Sequence, residues 1–97
     1  MMLTGKQTRY LRSMANRLKP IFQVGKSGVN DNMIEQIAEA LEKRELIKIS
    51  ILQNCLEDKD EVAAALAEGA NAELVQVIGS QIILYKESDE NKQIQLP

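Results

Sequence analysis

Residues Leu46 to Leu52 read Leu-Ile-Lys-Ile-Ser-Ile-Leu. Ile47, Ile49 and Ile51 alternate with Lys48 and Ser50, a two-residue period that an extended strand turns into one apolar and one polar face. Elsewhere the apolar residues keep a different period. Leu11, Met14, Ala15 and Leu18, and again Ile34, Ile37, Ala38 and Leu41, follow the i, i+3, i+4, i+7 spacing of a helix with one buried side. A chain that carries both periods has to pack helices against a sheet. Its 97 residues suit one such domain, read as spanning residues 1–97.

Local signals set the expected order of elements. Thr4-Gly5-Lys6-Gln7 has the Thr-x-x-Gln form of a capping box. The first helix is expected to stop near Lys19, because Pro20 disfavours a helical backbone before it. Ile21 to Val24 are β-prone, Gly25 to Gly28 form a loop, and Asn30 can cap a second helix with Val29 and Ile34 as a hydrophobic staple. That helix ends near Arg44. Asp58-Lys59-Asp60-Glu61 opens a third, where acidic residues suit the positive end of the helix dipole. Val62, Ala65 and Leu66 face inward, and Gly69 is the expected C-cap. Glu-Leu-Val-Gln-Val-Ile and Gln-Ile-Ile-Leu-Tyr-Lys are strands joined through Gly79-Ser80. Residues 87–97 are polar and expected to be loosely held, with Ile94 and Leu96 able to dock.

The result is an α/β chain of the two-layer α+β kind, ordered α-β-α-β-α-β-β. Its mixed four-stranded sheet is backed by helices. Two βαβ crossovers predict parallel pairing, and the hairpin adds an antiparallel strand.

Composition removes whole classes of chemistry. The chain has no histidine and one cysteine, Cys55, so neither an intrachain disulfide nor a Cys/His zinc site can form within it. No histidine serves as general acid or base, and no nucleophile stands beside an evident base. The acidic set Glu57, Asp58, Asp60 and Glu61 is explained by a helix start. No catalysis, metal or cofactor is therefore expected. No apolar run approaches the roughly 20 residues that cross a bilayer, and the amino-terminal residues lack a signal-peptide pattern. A cytoplasmic protein, monomeric and away from membranes, is the expectation.

The net charge of −2 hides a strong asymmetry. Residues 1–30 contain Lys6, Arg9, Arg12, Arg17, Lys19 and Lys26 and no acidic residue, a charge of +6. The remaining six basic and all fourteen acidic residues lie in 31–97, a charge of −8. At about 100° per residue, Lys6, Arg9 and Arg17 fall opposite the apolar stripe of the first helix, with Arg12 on its flank. One electropositive face and an acidic remainder suit a polyanionic partner.

Val24-Gly25-Lys26-Ser27-Gly28 follows directly. A phosphate-gripping Walker A loop needs Gly-x-x-x-x-Gly-Lys-Ser/Thr. The position five before Gly25 is Pro20, and the residues between are strand formers, so that reading fails. As Gly-x-x-Gly between a strand and a helix, the glycines let the backbone turn and approach another backbone closely. Lys26 and Ser27 then project as a charge and a hydrogen-bond donor, beside the N–H groups that open the next helix. KH domains clamp a nucleic-acid backbone with such a loop. An aromatic content of 3% argues against a base-stacking platform, and Tyr10 and Tyr85 are read as packing residues.

Leu-Thr-Gly-Lys-Gln, Leu-Lys-Pro, Gly-Lys-Ser-Gly and Glu-Leu-Ile-Lys, at these separations, resemble the CRM (chloroplast RNA splicing and ribosome maturation) domain. The stand-alone bacterial YhbY type is the nearer likeness, and it extends to the final Leu-Pro. The resemblance implies an RNA-binding domain with the fold of the C-terminal domain of translation initiation factor 3. It also implies association with ribosomal RNA in precursors of the large (50S) subunit, with ribosomal proteins nearby. By position, the family's loop falls on Gly25, Lys26, Ser27 and Gly28, and its basic helix on Lys6, Arg9, Arg12 and Arg17; Lys19 joins the set by charge. Ser80 stands where relatives often carry a basic residue, and the tail Glu-Ser-Asp-Glu-Asn-Lys-Gln-Ile-Gln-Leu-Pro is more acidic than theirs. The competing expectation is a protein-interaction module whose basic face meets an acidic protein.

Overall fold

The computed structural model describes residues 2–97. Its elements are α1 (Gly5–Ala15), β1 (Phe22–Val24), α2 (Asp31–Arg44), β2 (Leu46–Ile51), α3 (Lys59–Gly69), β3 (Glu73–Ile78) and β4 (Gln81–Tyr85). Their order is the expected one. The capping box closes α1: the Thr4 hydroxyl accepts the Gln7 N–H at 3.1 Å, and the Gln7 side chain accepts the Thr4 N–H at 3.0 Å. The helix ends at Ala15, short of Lys19. The N–H groups of Arg17 and Leu18 bond to Met14 and Ala15 carbonyls at 3.2 and 3.0 Å, a tightened last turn. Asn30 caps α2 by accepting the Met33 N–H at 2.9 Å. Asp58 caps α3 by accepting from Asp60 and Glu61.

The sheet order is β1-β2-β4-β3. β1 and β2 are parallel, as the first crossover predicts. The second crossover does not make β2 and β3 neighbours. β4 folds back through Gly79-Ser80 and inserts between them, antiparallel to both. The insertion pairs Ile47 with Leu84 and Ile49 with Ile82 at the centre of the sheet. β3, which carries Glu73 and Gln76, is left at the edge.

Strand alternation sends side chains to two cores. Val24, Ile47, Ile49, Ile82 and Leu84 pack with Ile37, Leu41, Val62 and Leu66 of α2 and α3. On the opposite face, Leu46, Val75, Ile83 and Tyr85 pack with Leu11 and Ala15 of α1. The two-layer expectation therefore describes the sheet with α2 and α3, while α1 adds a layer of its own. One short helix cannot cover a whole face. Leu46 lies beneath α1, but Lys48 and Ser50 continue the same face of β2 and remain half-exposed.

Gly69 is not the C-cap of α3. It is the last residue of the helix, Ala70 caps it, and the left-handed residue is Asn71, with φ 53°. A Cβ at Gly69 would lie 2.6 Å from Ile34 Cδ1, so the missing side chain is what lets α2 and α3 approach.

Residues 87–97 have no helix or strand, yet they are held. Glu42 accepts the Ser88 hydroxyl and the N–H groups of Asp89 and Glu90 at 2.6, 2.9 and 3.1 Å. Buried Glu45 accepts the N–H groups of Ser88, Gln93 and Ile94 at 2.8, 2.6 and 2.7 Å. Ile94 and Leu96 pack against the α1 core. The looseness expected from polar composition does not follow, because two carboxylates at the end of α2 serve as acceptors for the segment's backbone.

Candidate nucleic-acid interface

Gly25 to Gly28 form a turn at the carboxyl end of β1. The Gly28 N–H donates to the Gly25 carbonyl at 3.0 Å. Lys26 and Ser27 occupy the tip and are exposed. Gly28 has φ 66°, a left-handed conformation costly for any residue with a Cβ. The floor of the turn is tight: a Cβ on Gly28 would lie 1.8 Å from Glu57 Oε1. That same oxygen accepts the Val29 N–H at 3.3 Å. A carboxylate from the β2–α3 connection thus braces the turn from below. It occupies the Val29 amide, and the Asn30 side chain occupies that of Met33, so the opening of α2 offers an anion fewer donors than the sequence predicts. The N–H groups of Asp31 and Asn32 at the start of α2 remain available, beside the exposed Lys26 and Ser27 at the tip.

The cations of residues 1–30 are all exposed, and among the described residues none is paired with a carboxylate. Lys6, Arg9 and Arg12 project from α1. Arg17 sits in the turn after the helix and not on it, and Lys19 lies in the irregular stretch before β1. Gly25, Lys26, Ser27 and Gly28 follow at the other end of that strand. The structure places the expected site residues at the two ends of the edge strand β1 and along α1.

Lys19 has company that the sequence analysis missed. It lines a cavity of about 120 Å³ with Arg44, at the end of α2, and Lys48, on β2. No carboxylate is among the lining residues. Arg44 and Lys48 lie in the acidic two-thirds of the chain, and only the return of β2 alongside β1 brings them to Lys19. The alternation Lys48, Ser50 did signal a polar strand face.

The acids lie elsewhere. Asp31, Glu35, Glu39, Glu42 and Glu45 belong to α2 and its C-cap, and Glu57, Asp58, Asp60, Glu61 and Glu68 to α3 and the connection before it. Both helices cover the sheet face opposite α1. Glu73, Glu87, Asp89 and Glu90 lie on β3 and in the docked tail. The segregation read along the sequence becomes a segregation in space.

The sequence pattern of the CRS1 / YhbY (CRM) domain matches residues 3–86. The chain is 72% identical over 96 residues to the probable RNA-binding protein YqeI of Bacillus subtilis, covering 99% of this chain and 100% of that one. It is 35% identical to an RNA-binding protein of Haemophilus influenzae, covering 98% and 95%. The solution structure of the hypothetical protein SAV1595 of Staphylococcus aureus superposes with a TM-score of 0.82 at 61% identity, covering 99% and 100%. This chain belongs to the CRS1/YhbY (CRM) domain family.

Proposed function

We propose that this protein binds RNA, and that its target is ribosomal RNA in precursors of the large ribosomal subunit, where it assists assembly in the cytoplasm. The observation that carries the reading is the separation of charge. Six cations unpaired among the described residues and an exposed Gly-x-x-Gly tip lie about α1 and β1, and ten of the fourteen acidic residues lie on or beside the two helices of the opposite face. RNA-binding relatives in the family supply the class of partner.

The mechanism is backbone docking. Lys26 and Ser27 meet phosphates at the turn, while Lys6, Arg9, Arg12, Arg17 and Lys19 supply attraction over a wider surface. Contacts of this kind position an RNA without reading its sequence. The acidic helices turn away wrong approaches, because like charge facing like lowers the encounter rate. No catalytic step is part of the account.

Sucrose-gradient fractionation of a cell extract, with and without ribonuclease, tests it. The protein is expected with immature large-subunit particles and is expected to leave them after ribonuclease. Combined Lys26→Ala and Ser27→Ala should shift it toward the top of the gradient. Retention that survives ribonuclease and ignores the double substitution would favour an acidic protein partner instead.

A further inference from the structure

The half of the sheet face that α1 leaves uncovered has a definite composition. Register places Gln23 beside Ser50, Ser50 beside Gln81, and Gln81 beside Ile78. One row of side chains thus crosses all four strands on the α1 side. At about 4.8 Å between strands the row is about 14 Å wide. Gln23 is exposed, and Ser50 and Gln81 are half-exposed. The next row toward α1 contains Lys48 and Gln76 around Ile83. Neither row contains a carboxylate.

The surroundings are as informative as the row. Gln23 lies in edge strand β1, with Lys26 just beyond its carboxyl end and Lys19 before its amino end. Helical spacing places Arg12 and Thr8 on one flank of α1. Gln7, on the other flank, donates to the Pro97 carbonyl at 3.2 Å, and Met14 and Ile94 line one cavity and pack on the same core there. The tail therefore covers the flank away from Arg12 and leaves the polar rows uncovered. Lys26 and Lys19 mark a line along β1 where phosphates are favoured. Amides and a hydroxyl lie inward of that line, where bases attached to those phosphates would fall.

We propose that the Gln23–Ser50–Gln81 row reads base edges of single-stranded RNA whose phosphates run along β1 between Lys19 and Lys26. The proposal rests on the RNA-binding reading and adds base discrimination to it. Glutamine amides pair bidentately with a base edge that offers both a donor and an acceptor. A four-stranded sheet is also the size of platform on which an RRM seats two or three bases. Here the contact is by hydrogen bonding, because the row has no aromatic ring. A duplex buries the edges that the row would read, so single strands are preferred.

The test measures the affinity of the purified protein for 12-nucleotide oligo(A), oligo(C) and oligo(U) and for a duplex RNA of 12 base pairs. The wild type is expected to prefer single strands and to discriminate among the three by at least about fivefold, the lower end for one good bidentate contact. Combined Gln23→Ala, Ser50→Ala and Gln81→Ala should abolish the discrimination and leave the salt dependence intact. Lys26→Ala should weaken all three oligomers alike. A wild type that binds RNA without discrimination, or a triple variant that keeps it, overturns the base-reading row alone. Failure of the wild type to bind any RNA at low salt overturns the RNA-binding reading with it. Side-chain amide resonances of Gln23 and Gln81 provide a readout that needs no variant. They should shift with the preferred oligomer, and an unchanged pair at saturation contradicts the proposal.

Discussion

Gly28 joins two demands at one backbone position. Its φ of 66° disfavours any side chain, and Glu57 fills the space a Cβ would need. Gly28→Ala is expected to cost about 1–2 kcal/mol from conformation alone, plus the displacement of Glu57. Chemical denaturation of Gly28→Ala, Glu57→Ala and the double variant separates the two contributions. The double variant should recover the displacement and not the conformational cost, and strict additivity would show that Glu57 does not brace the turn. Glu45 shows the opposite choice at a helix end. Its φ is 63°, where glycine is usual, yet a carboxylate there holds three backbone N–H groups of the tail. Glu45→Gly should relieve the backbone and still destabilise the protein, since the buried Ser88 N–H and the part-buried N–H groups of Gln93 and Ile94 lose their acceptor. An increase in thermal midpoint would contradict this.

At the scale of elements, the sequence made the helices and strands legible wherever one local signal dominated. Thr4 with Gln7, Asn30 and Asp58 mark the three helix starts, and Ile47, Ile49 and Ile51 mark the central strand. Three features were hidden because each depends on a distant partner. The insertion of β4 depends on pairing Ile47 and Ile49 with Leu84 and Ile82. Gly69 looked like a cap, whereas its role is to admit Ile34; Gly69→Ala should destabilise by about 1–3 kcal/mol through overpacking, and Ile34→Val should return part of it. The tail looked free because acceptors for its amides lie in α2. Its anchoring also predicts a pH dependence. Donation by the Ser88 hydroxyl, then by the Asp89 and Glu90 N–H groups, lowers the Glu42 pKa from 4.5 to about 2. Burial pushes Glu45 up, but the N–H groups of Ser88, Gln93 and Ile94 outweigh it, and its pKa too is lowered. A lowered carboxyl stabilises the fold above its unfolded pKa and loses that contribution as pH falls through the folded value. Tail anchoring should therefore be complete above about pH 4.5 and fade toward pH 2. Amide exchange at Ser88–Ile94 should quicken in that window before exchange in β2 and β4 does. Simultaneous loss of both would place the anchor within the global unfolding unit.

The whole molecule is organised by charge. A net charge of −2 would argue against a polyanion partner if it were spread evenly. The fold instead sends the acid-free first thirty residues to α1, β1 and the turn, and most acids to the opposite helices. That segregation was visible as a count along the chain, and the basic residues of α1 could be assigned from helical spacing. The cavity shared by Lys19, Arg44 and Lys48 could not, because it joins three segments across the sheet edge. The most direct test of the central claim is the salt dependence of affinity for a single-stranded RNA, measured on wild type and Lys26→Ala. If about five phosphates are neutralised, log affinity should fall against log salt with a slope of about −3.5, and the loss of Lys26 should reduce it by about 0.7. A slope near zero, or one that Lys26→Ala leaves unchanged, would contradict phosphate docking at the turn.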